Sequence, residues 1–207
     1  MVESKVFPSF ANSKDKLMSK ILLNKISEVD SGKSFRHRIA DDPNGSCWVI
    51  QMKDISNEQL VIKGSPQSIL LEEVNPSQLL QKGDILFMAK GNNNFAILYD
   101  SDQPAVAVSL FFIVRPKRDK VNPEYLAWFL NSPNAQGYFH ERRLGASVGN
   151  IRKEALEGLE VELPSLERQG QIARLNKLLR DEKLLTNEYL EKKELFMNQT
   201  MLNLTTI

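Results

Sequence analysis

The sequence changes character at Pro164, and this change constrains the fold more than any other feature. Beyond Pro164 the chain contains no further proline and a single glycine, Gly170. From Glu167 to about Met201 it is rich in Leu, Glu, Lys, Gln and Arg, which are good helix formers, and Ser165 is a suitable N-cap. This composition predicts one helix of roughly 35 residues, which would extend roughly 50 Å at 1.5 Å per residue.

An apolar stripe follows one side of this predicted helix. Its members alternate spacings of three and four residues, and Glu182 and Lys192 occupy two positions of the series. A stripe this long exceeds what a small domain can cover, so it needs a partner helix. No second long helix is evident earlier, so we expect a homodimer; a helix folded back on its own domain is the alternative. The expected interface residues and their apolar neighbours are Ile172, Leu175, Leu178, Leu179, Leu185, Tyr189, Leu190, Phe196 and Met197.

In the first 164 residues, short apolar segments separated by turn residues are typical of a mixed α+β domain. Ala105–Val114 is apolar on both faces and is therefore expected to be a single central strand. Asn122 as N-cap and Pro123 at the first helical position predict one helix, which ends before Ser132. The predicted strands are Trp48–Met52, Leu60–Ile62, Asp84–Ala89, Phe95–Tyr99 and Ala105–Val114.

Composition and charge exclude several classes of protein. The 207 residues include 27 Lys+Arg and 26 Asp+Glu, for a net charge of +1. The longest apolar run, Ala105–Val114, is too short to span a bilayer, and no apolar segment follows Met1 as in a secretory signal. The lone Cys47 allows no intrachain disulfide and no thiolate zinc cluster. We therefore expect a soluble, cytoplasmic protein with no membrane partner.

No motif for catalysis is persuasive. The two histidines, His37 and His140, lack a metal-ligand spacing. Ser31-Gly32-Lys33-Ser34 ends like a phosphate-binding loop, but Ser27 stands where the first glycine is required. Asn122-Pro123-Glu124-Tyr125 resembles the Asn-Pro-Pro-Tyr loop of amino-methyltransferases, yet it lacks the second proline and a glycine-rich turn for the methyl donor. We therefore expect no enzymatic activity, no metal and no cofactor.

Three stretches, taken in order, resemble the specificity (S) subunit of type I restriction–modification systems. The first looks like the opening of a target recognition domain and the second like the family's Gly-Asp-Ile-Leu-Phe strand. The third is similar to the family's Pro-x-Leu-x-x-Gln-x-x-Ile-Ala pattern at the start of its long helix. One departure is Arg168, where family members commonly have Glu. The stretches are Ile26–Phe35 with Trp48–Ile55, then Leu80–Phe87, then Tyr125–Ala173.

The resemblance implies an α+β fold, with a target recognition domain built on a twisted, mostly antiparallel sheet over residues 1–164. One long helix over residues 165–207 would serve dimerisation and docking of the modification subunit. The typical subunit has two recognition domains and two long helices, so this chain resembles a half-subunit. Two copies pairing antiparallel would rebuild a twofold-symmetric whole. The implied partners are double-stranded DNA, read at a palindromic bipartite target, and the modification and restriction subunits of a prokaryotic cell.

Three clusters are candidates for DNA contact. Arg can bond guanine through two donors, Asn can pair with adenine, and Lys mostly holds phosphates. The clusters are the loop after the third predicted strand, an arginine pair followed by a small-residue loop, and the segment after the Ser-Gly-Lys turn. The candidate residues are Lys33, Arg36, Arg38, Lys90, Asn92, Asn93, Asn94, Arg142, Arg143, Ser147 and Asn150.

Two other functions stay open at this point. A dimeric scaffold or an S-like anti-restriction protein would keep the helix pairing and engage the modification subunit without binding DNA. A self-contained methyltransferase or nuclease is disfavoured by the missing motifs. Weakening of duplex binding as salt rises would separate recognition from the scaffold, because released counterions contribute much of the free energy of DNA binding.

Overall fold

The computed structural model of the chain describes residues 19–56, 60–91, 94–144 and 150–205. Strands and short helices alternate as far as Leu163, and one long helix follows. The strands are β1 (Ser19–Leu22), β2 (Ser27–Ser31), β3 (Cys47–Ile50), β4 (Ile55–Ser56), β5 (Val61–Ile62), β6 (Gln67–Ile69), β7 (Ile85–Met88), β8 (Ala96–Leu98), β9 (Ala105–Ala107), β10 (Phe111–Pro116) and β11 (Glu160–Leu163). The helices are α1 (Leu23–Ile26), α2 (Pro123–Leu130), α3 (Pro133–Leu144), α4 (Lys153–Glu157) and α5 (Leu166–Thr205), with short 3-10 helices at Met52–Asp54, Leu71–Glu73 and Pro76–Gln78.

A four-stranded antiparallel sheet in the order β2-β10-β7-β8 lies at the centre of the domain. All of β7 is buried: Ile85 and Phe87 pack toward the helices, and Leu86 and Met88 pack toward the second sheet. Alternate side chains of one strand thus enter two separate cores. Burial on both faces explains why β7 is apolar without interruption.

A three-stranded sheet in the order β6-β3-β9 covers one face of the central sheet, with β3 and β9 parallel. The prediction of one strand over Ala105–Val114 is wrong here, because a turn at Ser109-Leu110 divides the run into β9 and β10. The two halves belong to different sheets. Both strands are apolar because each packs in a core, and the run contains no Gly or Pro that would have marked the turn between them.

Helices cover the other face of the central sheet. The predicted helix α2 is confirmed: the Asn122 side chain accepts a hydrogen bond from the Tyr125 amide at 2.9 Å. The prediction of a single helix before residue 164 is wrong, because α1, α3 and α4 are also present. Pro133, just beyond the predicted end of α2, is the first residue of α3, since proline suits the first helical position. In α3, Phe139 packs on Phe87 of the sheet, with ring centroids 4.7 Å apart.

The predicted long helix is confirmed as α5, whose 40 residues begin at Leu166. The first turns of α5 pack on the domain, chiefly against α2, and within the described residues only Gln169 and Ala173 of α5 are buried. The apolar stripe beyond them is exposed. The architecture is therefore the predicted α+β domain followed by a projecting helix, and the division into two units at residue 164 stays a prediction.

Candidate nucleic-acid interface

The central sheet brings several of the predicted DNA-contact segments to one of its ends. Because β10 runs antiparallel to β2 and β7, Ser31 pairs with Phe112, and Met88 pairs with Phe111. Strand β8 starts at this same end. Residues 32–33, 89–91, 94–95 and 108–110 therefore lie together where these strands end, and we call this the loop end.

Gly32 lets two backbone segments lie in direct contact at the loop end. Its amide donates to the Phe111 carbonyl at 3.0 Å, and the Lys33 amide donates to the Ala107 carbonyl at 2.7 Å. A Cβ atom on residue 32 would lie 2.3 Å from the Val108 carbonyl oxygen, too close for any side chain. The Ser31-Gly32-Lys33 turn is thus where two backbone segments are in direct contact, and glycine is required at position 32.

The side chain of Lys33 turns back into the protein. Its Nζ lies 3.3 Å from Oε1 of Gln78 and 3.4 Å from the Glu73 carbonyl oxygen, so the ammonium is already engaged. Arg36 and Arg38 follow on the same segment, and both are exposed. Of the three cations predicted after this turn, these two therefore keep their surfaces toward solvent.

The segment after β7 divides into an exposed and a buried part. Lys90 and Gly91 are exposed, and Gly91 has φ of 107°, a conformation that favours glycine. Asn94 is buried, and its Nδ2 donates to the Met88 carbonyl at 2.8 Å. Its amide therefore closes the turn between β7 and β8. The predicted residues Asn92 and Asn93 lie outside the described residues.

Residues 150–152 also lie at the loop end, although they are far in sequence from the segment that they contact. The Ile151 amide donates to the Ala89 carbonyl at 2.9 Å, and the Ala89 amide donates to the Leu110 carbonyl at 3.1 Å. Asn150 therefore lies beside the segment that holds Lys90. Arg152 is exposed at the N-cap of α4, a position that the site prediction omitted although its Arg-Lys pair is visible in the sequence. The predicted Ser147 lies outside the described residues.

Arg142 and Arg143 stand on the last turn of α3. The Arg142 guanidinium carbon lies 3.3 Å from the centre of the Tyr138 ring, a cation–π contact. Burial raises the pKa of Tyr138, and the charge of Arg142 opposes that rise. Arg143 Nη2 lies 3.2 Å from Nδ1 of His140. Arg142 lines a cleft together with residues of β1 and β11, including Glu160.

Two other arginines serve the framework. Arg115 forms a two-point ion pair with the buried Asp84 at 2.8 and 3.0 Å, and hydrogen bonding to that carboxylate raises the pKa of Arg115. Arg118 donates to the Lys82 carbonyl. The Gly-Asp-Ile-Leu-Phe motif thus supplies, in Asp84, the anion that fixes Arg115.

The described residues contain no group of three or more His, Cys, Asp and Glu side chains that could hold a metal ion. Cys47 is a free thiol inside the core, and burial raises its pKa. Over the part of the chain that the structure covers, no helix has the length and hydrophobicity needed to cross a bilayer.

The expected interface residues of α5 fall into two groups. Ile172 is half-buried against its own domain. The others are 62–69% exposed, and the apolar neighbours Leu190 and Met197 are 54% and 48% exposed. These other residues are Leu175, Leu178, Leu179, Leu185, Tyr189 and Phe196.

The fold and the loop end together define a sheet domain that presents cationic and amide side chains at one end and a long helix at its C-terminal side. The family model for the type I restriction modification DNA specificity domain matches residues 17–194. The chain therefore belongs to this family, and the predicted family resemblance is confirmed. A comparison with the curated proteins finds no significant match.

Solved structures agree on the fold. The HsdS subunit from Thermoanaerobacter tengcongensis is 16% identical with a TM-score of 0.59, and it covers 86% of this chain and 41% of its own. The type I restriction–modification S subunit from M. genitalium is 15% identical with a TM-score of 0.53, covering 81% and 40%. A structure described as the basis of complex assembly and conformational transition of the type I R-M system is 20% identical with a TM-score of 0.58, covering 88% and 48%. This chain thus spans less than half the length of each.

Proposed function

We propose that this chain reads a DNA sequence for a type I restriction–modification system, while partner subunits methylate and cleave the DNA. The observation that carries the proposal is the loop end, where Lys90, Asn150 and Arg152 come from two separate stretches of sequence to one end of one sheet. A sheet buried on both faces is a rigid support, so loops at its end can hold a fixed arrangement toward a ligand.

The residues divide by chemistry. Lys90 and Arg152 suit phosphate oxygens, which set the position of a protein on the duplex without selecting bases. Arg36, Arg38 and Asn150 have the donors and acceptors that distinguish base edges in the major groove. Gly91 lets the backbone approach the DNA closely. The predicted residues Asn92, Asn93, Ser147, Arg142 and Arg143 stay candidates for the same task.

We also propose that α5 pairs with α5 of a second copy and that the modification subunit docks on this pair. Large side chains from Leu175 to Leu204 are 37–70% exposed along one helix. A typical monomer exposes a largest apolar patch of only roughly 300–600 Å², so a surface this extensive favours a partner. Two half-subunits joined in this way would read a palindromic bipartite target.

Selection from a pool of random-sequence duplexes, in the presence of the modification subunit, tests the recognition proposal. We expect enrichment of a bipartite palindrome, with binding that weakens as salt rises because counterions are released. If no sequence is enriched although the two subunits form a complex, the recognition proposal fails and the scaffold or anti-restriction alternative is favoured.

Two variants and one control then test the loop end on the selected duplex. Lys90→Ala and Arg152→Ala should each weaken binding and lower the slope of log affinity against log salt by about one. Lys25→Ala is the matched control, because Lys25 is exposed on α1, just before β2 and at the opposite end of the sheet from the loop end. Loss of affinity in the control equal to that in the two variants would contradict the assignment of the loop end.

The dimer is tested by sedimentation. Replacing Leu185 and Tyr189, which are 65% and 62% exposed, by Asp should convert a dimer to monomers, because unpaired charges buried between helices are costly. Circular dichroism checks that the helix persists. A wild-type chain that sediments as a monomer would contradict the pairing of α5 with a second copy.

A further inference from the structure

Two charged residues interrupt the apolar stripe of α5. The stripe positions are Leu175, Leu178, Glu182, Leu185, Tyr189, Lys192, Phe196 and Gln199, which alternate steps of three and four residues. Glu182 and Lys192 are exposed, and neither has an ion-pair or hydrogen-bond partner within the described part of its own chain. A charge at such a position is costly in an interface unless an opposite charge meets it.

Parallel pairing of two copies would place like charges together. In a parallel pair each stripe position meets the same position of the other copy. Glu182 would then face Glu182 of the second copy, and Lys192 would face Lys192 of the second copy. Both contacts are repulsive, so the stripe disfavours the parallel arrangement.

One antiparallel register places opposite charges together. When Leu185 faces Tyr189 of the second copy, Leu178 faces Phe196 of the second copy and Glu182 faces Lys192 of the second copy. Twofold symmetry repeats each contact. A shift of seven residues in one direction leaves Glu182 against Leu185 of the second copy, and the opposite shift leaves it against Gln199 of the second copy.

We propose that a contact between Glu182 of one copy and Lys192 of the other selects the register in which two antiparallel copies of α5 pair, with the twofold axis beside residue 187. The proposal rests on the homodimer proposed above and adds the geometry of its interface. Ala173, the last buried residue of α5 within the described part of the chain, lies 14 residues from the axis, so the two departure points are about 42 Å apart at 1.5 Å per residue. That distance is about 12 base pairs at 3.4 Å each.

Charge reversal tests the contact between Glu182 and Lys192. Glu182→Lys and Lys192→Glu should each raise the dimer dissociation constant at least tenfold, because two like-charge contacts form in place of two ion pairs. The double variant restores opposite charges and should return to within threefold of wild type. Glu194→Lys is the control, because residue 194 lies on the side of α5 away from the stripe, and it should leave the constant unchanged.

Cysteine cross-linking tests the register on the full chain. A mixture of Leu185→Cys and Tyr189→Cys chains should form a disulfide-linked dimer, whereas each chain alone should form little. The native Cys47 is 0% exposed and should give little background. The proposed register would be overturned if each cysteine chain cross-linked with itself. It would also be overturned if the wild-type chain is a dimer and the single charge reversals leave the dissociation constant unchanged. A monomeric wild-type chain would instead overturn the homodimer itself.

Discussion

Gln169 joins the long helix to the domain through both ends of one buried amide. The residue is 1% exposed. Its Oε1 accepts a hydrogen bond from the Asn122 amide at 2.8 Å, and its Nε2 donates to the Pro164 carbonyl at 2.8 Å. Because Asn122 is the N-cap of α2, this amide links the first turns of the two helices and sets the direction in which α5 leaves the domain.

The cost of losing this amide follows from the groups it leaves behind. Gln169→Ala leaves the Asn122 amide and the Pro164 carbonyl without their hydrogen-bond partners, and each buried group without a partner costs about 1–3 kcal/mol. The higher helix propensity of Ala returns less than about 1 kcal/mol. We therefore expect the free energy of unfolding to fall by about 3 kcal/mol. Gln169→Glu keeps an acceptor for Asn122 but cannot donate to Pro164, so it should also destabilise the protein.

Urea denaturation at fixed protein concentration measures this loss. Gln171→Ala is the matched control, because Gln171 is exposed on the same helix and its replacement should change the free energy by less than about 0.5 kcal/mol. A loss for Gln169→Ala below about 1 kcal/mol, or equal to that of the control, would refute the assigned role of the buried amide.

Two further predictions concern stability. Gly32→Ala places a Cβ 2.3 Å from the Val108 carbonyl oxygen and should cost several kcal/mol by thermal denaturation. In Gly137→Ala on α3, the added Cβ atom has no other atom within 4 Å, so this variant should stabilise the protein by about 0.5–1 kcal/mol. If Gly137→Ala were instead the more destabilising of the two variants, the close approach at residue 32 would be contradicted. Burial raises the pKa of Tyr125 to about 12, so its contribution to stability is complete below about pH 10 and is lost toward about pH 12. The stability difference between wild type and Tyr125→Phe should therefore shrink over that range, and a constant difference would contradict the raised pKa.

Patterns confined to neighbouring residues were predictable from the sequence. The N-cap and proline at Asn122-Pro123 predicted where α2 begins, and the glycine-poor, proline-poor run after Pro164 predicted α5. Both patterns act through hydrogen bonds and propensities inside one helix. The strand over Ala105–Val114 was mispredicted because apolar residues alone do not record which of two stacked sheets they enter.

For the candidate site, the sequence indicated which residue types are available and the fold decided how they are used. In the sequence, Lys33 and Asn94 are candidates for DNA contact, and Arg115 is another basic residue. In the structure Lys33 contacts Gln78, Asn94 closes a turn, and Arg115 pairs with Asp84. Each of these partners is a group that only the folded chain brings within reach.

The long helix with its unpartnered stripe was determined by the sequence alone, because helix formation and amphipathicity depend on residues a few positions apart. Only the tertiary structure decided that Ile151 bonds Ala89 and that Gln169 bonds Asn122. The first contact joins two backbone groups, and the second joins a side-chain amide to a backbone amide. Because nearly every residue carries the backbone partners alike, the sequence does not single them out. The composition of the loop end is therefore a property of the packed sheet and not of any one stretch of chain.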